Sequence, residues 1–164
     1  MEERELADSE LYAACIDWAI QEVRAKRPEV KLKVYRELTA GQRGLFMFRV
    51  LHDHAYGSVG EFYGWISCLL AQNGQWDEIV KAIEHVHDAE MLRLLEETRS
   101  ILDNRNRRVG VTYDTVSISD LVSDPLLRKQ MTGLYNRFLH SASGTFARMA
   151  DYIRKHANEF VVLE

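Results

Sequence analysis

The side chains best suited to chemistry are the histidines and the carboxylates near them: His52 and His54, then His85 and His87, with Glu61, Glu84 and Asp88 as oxygen donors. Imidazole and carboxylate together bind metals or carry protons. Their spacing limits both roles. Residues two apart on a helix point about 200° from each other, so neither histidine pair closes on one ion while helical. Glu84 and His87 form a Glu-x-x-His unit, but a di-iron bundle takes two such units and two further glutamates. The chain holds no second unit. Solvent-facing or hydrogen-bonded histidines are therefore expected, with no metal and no cofactor.

Nucleophilic catalysis needs an activated residue presented on a turn with a base in reach. Ser141-Ala142-Ser143-Gly144 follows no strand and does not fit Gly-x-Ser-x-Gly, so it reads as close helix packing. Gly41-Gln42-Arg43-Gly44 lacks the lysine and the preceding strand of a phosphate loop and reads as a helix start with glycine clearance. No catalytic residue is assigned, which favours a non-enzymatic protein.

Residues 41 to 76 nevertheless concentrate 6 of the 9 glycines and 7 of the 16 aromatic residues. Glycines let backbones approach or leave room for a ligand, and aromatics supply core area or line a pocket. The candidate ligand-binding residues there are His52, His54, Tyr56, Glu61 and Trp65. Aromatic core packing is the competing account of the same cluster.

Elements that would position these groups follow from periodicity. Tyr12, Ile16, Ala19, Ile20 and Val23 mark a first helix that Pro28 ends; Pro28 then suits the first turn of a second helix carrying Val30, Val34 and Leu38. The alternation from Lys31 to Tyr35 also permits a strand. Thr39 with Gln42, and Ser58 with Glu61, have capping-box spacing before apolar runs. The first run, Leu45 to Leu51, is apolar nearly all round and belongs in the middle of the fold. The second ends at Asn73-Gly74, where a left-handed cap is expected.

Two further stripes, Trp76 to Val86 and Met91 to Leu102, either separate at Asp88 or run together. Residues 105 to 123 read as a long non-helical connection, and loops of that length are often functional. Arg105, Arg107 and Arg108 form the one basic cluster, thin for a nucleic-acid contact and suited to a helix C-terminus. Asp124-Pro125 starts a final helix whose line Leu127, Met131, Leu134, Phe138, Ala142, Thr145, Met149, Tyr152, His156 keeps helical period. At 1.5 Å per residue, 125 to 157 would extend roughly 50 Å, so either a bend at 141–144 or a partner contact at 145–156 is expected. Phe160 to Leu163 reads as a short extended tail.

The 164 residues fit one all-α domain, an irregular bundle of six or seven helices. The net charge of -4, from 21 basic and 25 acidic residues, is too mild for a polyanion-binding surface, so direct nucleic-acid binding is not expected. Cys15 and Cys68 are isolated among apolar neighbours and read as reduced thiols in a cytoplasmic protein. The acidic start, Glu2, Glu3, Glu5, Asp8 and Glu10, suits a helix N-terminus and lacks the features of a secretory signal. No stretch approaches the ~20 apolar residues of a membrane span.

From Leu38 to Leu102 the order of features is a glycine-containing helix start before an aromatic-rich helix (Gly41, Gly44, Phe46, Phe48), a glycine turn and a second amphipathic helix. This order resembles a bacterial family of small helical proteins of unknown function that includes a DNA-mimic protein. The resemblance implies a small bacterial helical protein and transfers no functional residue. Three functions follow as expectations: an interaction or regulatory module with an unknown protein partner or a homodimer, a small-molecule or catalytic pocket at 41–76, and DNA mimicry through Glu84, Asp88, Glu90, Glu96 and Glu97.

Overall fold

The computed structural model describes residues 7–160. Glu2, Glu3 and Glu5, and residues 161–163 of the expected tail, lie outside the described residues. Eight α-helices follow in order: α1 (Asp8–Val23), α2 (Pro28–Glu37), α3 (Ala40–Ala55), α4 (Val59–Ala71), α5 (Gln75–His85), α6 (Ala89–Val109), α7 (Asp120–Ser123) and α8 (Pro125–Lys155). Short 3-10 turns occupy Tyr113–Thr115 and Ala157–Glu159, and no strand occurs among the described residues. The fold is thus an all-α irregular bundle, with one helix more than the six or seven expected. The addition is α7, a single turn too short to leave a period in the sequence.

Helix starts are set by local side chains. Thr39 accepts from the Gln42 amide at 3.2 Å while Gln42 Oε1 accepts from the Thr39 amide at 3.0 Å, a reciprocal cap. Ser58, Asp88 and Asp124 cap α4, α6 and α8 by accepting from the amides of Glu61, Met91 and Leu127. Asp88 therefore separates α5 from α6. Gly74 sits at φ +85°, the left-handed turn expected after Asn73. In α2, Val34 and Leu38 are buried whereas Leu32 is exposed, so the helical period, not the alternation, selects the inward face.

The connection expected over 105–123 is shorter than that. α6 continues through Arg105, Arg107 and Arg108 to Val109 and stops at Gly110, which adopts φ +73° and donates its N–H to the Asn106 carbonyl. The inward stripe runs Thr98, Leu102, Asn106, all buried. Because its last member is polar, the apolar period fades from the sequence while the helix goes on.

α3 packs against α1, α4 and α5, which makes it the central helix, with Phe48 and Leu51 fully buried. α8 runs without a break for 31 residues, about 46 Å at the rise of an α-helix. It lies antiparallel to α6, joined by Arg137 to Glu97 at 2.6 Å, Ser141 to Glu90 at 2.9 Å and Thr145 to Asp88 at 2.7 Å. The sequence offers a partner contact at 145–156 as the alternative to a bend at 141–144. Instead α1 covers this half: Tyr12 meets Phe146 edge to face at 5.0 Å, Arg154 pairs with Asp8 at 2.7 Å, and Met149, Ala150 and Ile153 are buried within the chain. The close packing expected at Gly144 is also missing, since a β-carbon there would meet nothing within 4 Å.

Close approach occurs elsewhere. A β-carbon on Gly44 would lie 2.8 Å from that of Ala82, so the backbone of α3 rests against the Ala82 methyl of α5 at this point. Gly44→Ala is expected to cost about 1 to 2 kcal/mol, overpacking outweighing the gain in helix propensity. Adding Ala82→Gly should recover part of that loss in urea unfolding; equal losses in the single and double variants would refute the contact. On Gly41 the added carbon would meet only the Phe160 ring, a side chain that can turn aside.

Candidate functional site

The five candidate residues of 41–76 fall into two pairs, His52 with Tyr56 at 5.2 Å and His54 with Trp65 at 3.8 Å by ring centroid, with Glu61 apart from both. His52 turns towards α8, its ring edge to face with Phe146 at 4.9 Å and tilted against Phe138 at 6.1 Å. Phe146 also meets Tyr12 and Phe48, so His52 completes an aromatic cluster, with its Nδ1 3.4 Å from Asp53. His54 lies two residues on and faces elsewhere: it is exposed and stacks on the half-buried Trp65 with centroids 3.8 Å apart, tying α3 to α4. Tyr56 is exposed and lends its backbone carbonyl to the Tyr135 hydroxyl at 2.6 Å. The Glu61 carboxylate folds back over Gly57, filling the space a β-carbon would need. Phe62 and Tyr63 are fully buried, so the aromatic density of the segment is largely core.

His52 and His54 both lie in α3, whereas His85 ends α5 and His87 sits beyond it at φ +55°. Among the described residues no three His, Cys, Asp or Glu side chains gather as metal ligands. Cys15 is buried and Cys68 half-buried, and both are free thiols. Burial holds the Cys15 thiol above its ordinary range.

What the chain does present is an apolar edge around α7. Leu121 is buried and anchors the turn, while Val122 beside it is 81% exposed, with Ile118 at 57% and Leu126 at 52%. Ile118 leans on Gly60 at the start of α4. Beneath the edge lies a polar network. Tyr63 donates to Asp120 at 2.8 Å, and Arg105, its side chain 9% exposed, stands 3.6 Å from Asp120 and 3.8 Å from Asp124. Arg108 reaches Asp124 at 3.6 Å from outside. Burial, then the bond to Asp120, raise the Tyr63 phenol well above its ordinary value, so it stays a donor.

This network fixes α7 to α4, α6 and α8 at the same time. It consumes the two carboxylates of the edge, whereas Arg128 and Lys129, exposed on the first turns of α8, make no ion pair among the described residues. Sequence reading placed Ile118 in this connection but missed Val122 and Leu126. Leu126 carries a partial signal, since it falls off the line of Leu127 and Met131, although Phe146, also off that line, packs inward. Comparison with protein-family profiles, curated proteins and solved structures finds no match to this chain. Among the described residues, no helix is long and apolar enough to cross a membrane.

Proposed function

We propose that the protein is a non-enzymatic interaction module of the cytoplasm, and that its docking surface is the α7 edge. The observation that carries this reading is the exposure of Ile118 before α7, Val122 within it and Leu126 at the start of α8, around a turn that the Arg105 network holds in place. Isolated surface aliphatics are ordinary, but a run of them rimmed by polar groups marks a contact surface. The rim is basic, because Asp120 and Asp124 are paired from within while Arg128 and Lys129 form no ion pair among the described residues. The occupant that fits is a segment of a partner protein with two or three apolar side chains flanked by carboxylates.

The DNA-mimic reading would need carboxylates standing clear of cations. Instead Glu97 pairs with Arg137 at 2.6 Å, Asp103 with Arg99 at 3.7 Å and Glu78 with Lys81 at 3.7 Å, and Glu90 accepts from Ser141. The acidic residues of α5 and α6 are interleaved with positive charge, which speaks for the interaction reading.

Val122→Asp decides the matter because it spares the core. The variant should keep its stability within about 0.5 kcal/mol, as an exposed substitution does. Chemical cross-linking in native lysate should then lose the partner captured by the unaltered chain, and Arg128→Glu should weaken capture with a shallower dependence on salt, because the attraction that salt screens is gone. A partner retained equally by Val122→Asp and Arg128→Glu would end the proposal. A complex seen only between copies of this chain by sedimentation, lost on Val122→Asp, would assign the edge to a homodimer.

A further inference from the structure

A second surface feature lies at the opposite end of α8. Between α3, α5, α8 and the turn Ala157–Glu159 there is an open cleft of about 310 Å³, a volume at the lower end of small-ligand sites. Its floor is apolar, made by Gly44, Leu45, Ala82 and Met149. The floor exists because Gly44 and Ala82 bring α3 and α5 together without side chains to fill the angle between them.

The wall on the chain's C-terminal side is held by the same residues that cap α3. The Thr39 hydroxyl donates to the Glu159 carbonyl, and Gln42 Nε2 donates to the Phe160 carbonyl at 2.8 Å. Glu159 and Phe160 are thereby fixed at the rim. Tyr152 donates its hydroxyl proton to Glu159 Oε2 at 2.9 Å, and His85 Nε2 contacts the same hydroxyl. A phenol has one proton, so with that proton committed to Glu159 the imidazole must donate from Nε2. The row His85, Tyr152, Glu159 thus directs its donors towards one carboxylate. Burial and that carboxylate push the Tyr152 phenol up to about 12, keeping the proton on it.

Charge selects the ligand. Glu78 and Glu159 supply two carboxylates, whereas the one ammonium, Lys81, is 70% exposed and drawn 3.7 Å from Glu78 at the outer edge. The rings of Tyr152 and Phe160 border the same space; Tyr152 is stacked on His156 on one side, so it gives the rim a rigid aromatic edge. We propose that the cleft binds a small organic amine: an ammonium paired with Glu159 against the aromatic rim, and an apolar body lying on Leu45 and Met149. An anion would meet two carboxylates and gain only Lys81.

The test uses the full chain and benzylamine as probe, with benzoate and benzyl alcohol as controls, followed by amide chemical shifts and calorimetry. Benzylamine should bind saturably, shift the amides of Gly41, Gly44 and Ala82, and raise the melting temperature by mass action. Glu159→Gln, a near-isosteric change, should weaken it about tenfold, the worth of one charge-assisted hydrogen bond. If Glu159→Gln also loosens the terminal turn, Glu78→Gln, which does not touch that turn, should still weaken the amine while leaving benzyl alcohol unaffected. Val122→Asp should change nothing here, which separates this site from the α7 edge. Absence of saturable binding, equal binding of benzoate, or an affinity untouched by both glutamine variants would overturn the proposal.

Discussion

Replacing Phe138 with alanine is expected to lower stability by about 3 to 5 kcal/mol and the midpoint of thermal unfolding by roughly 10 °C. The ring is fully buried near the middle of α8, 5.4 Å from Phe62 and 6.1 Å from His52 by centroid. It therefore joins the central helix α3, the aromatic helix α4 and the longest helix of the fold. Little can collapse into the space left behind, because its neighbours are themselves held by backbone in three helices. Urea unfolding with an unchanged slope would give the loss directly. A loss under about 1 kcal/mol would mean that the site is looser than a packed core.

Arg105→Met is expected to cost about 2 to 3 kcal/mol, less than the removal of one partner from a fully buried ion pair. The discount follows from the geometry: Asp120 and Asp124 keep side-chain exposures of 24% and 21%, and the guanidinium stands 3.6 to 3.8 Å from them. Asp124 would keep Arg108, itself 59% exposed, as its one cation among the described residues, while Asp120 would keep the Tyr63 hydroxyl and the Ser117 amide but no cation. Asp120→Asn in the same chain should return part of the loss, since the charge left unpaired is then removed. Amide exchange at Leu121, Val122 and Ser123 should accelerate in Arg105→Met while the α3 amides stay protected. Unchanged exchange around α7 would show that Leu121 alone holds the turn.

Where helices begin was readable because the signals are local. Thr39 and Gln42, Asp88, and Asp124 before Pro125 each act within one turn of their own position, and each caps the expected helix. The buried line of α8 was readable for the same reason, down to Met149. The end of α6 was not, because Asn106 occupies an inward position with a polar side chain and hides the period; Gly110 was the overlooked stop. The candidate residues at 41–76 were chosen by density, and density cannot distinguish a face from its opposite. His52 and His54 are neighbours in sequence and belong to different surroundings.

The cleft could not be read in advance at all. His85 and Tyr152 are 67 positions apart, and the turn bearing Glu159 is placed by Thr39, 120 positions away. No periodicity links such residues. Only the packing of α3 on α5 and the return of the chain past α8 brings them together.

The pairing of α1 with the C-terminal half of α8 bears on the order in which the protein can assemble. Tyr12 meets Phe146 and Asp8 meets Arg154, so the first described helix is completed by the last long one. During synthesis the chain emerges from its N-terminus, and α1 leaves the ribosome long before its cover has been made. Until then Tyr12, Cys15, Ile16 and Ala19, all buried in the finished fold, have only α2 and α3 to shelter them. Part of that apolar stripe stays uncovered until α8 has been made, and docking of α8 is the event that closes it.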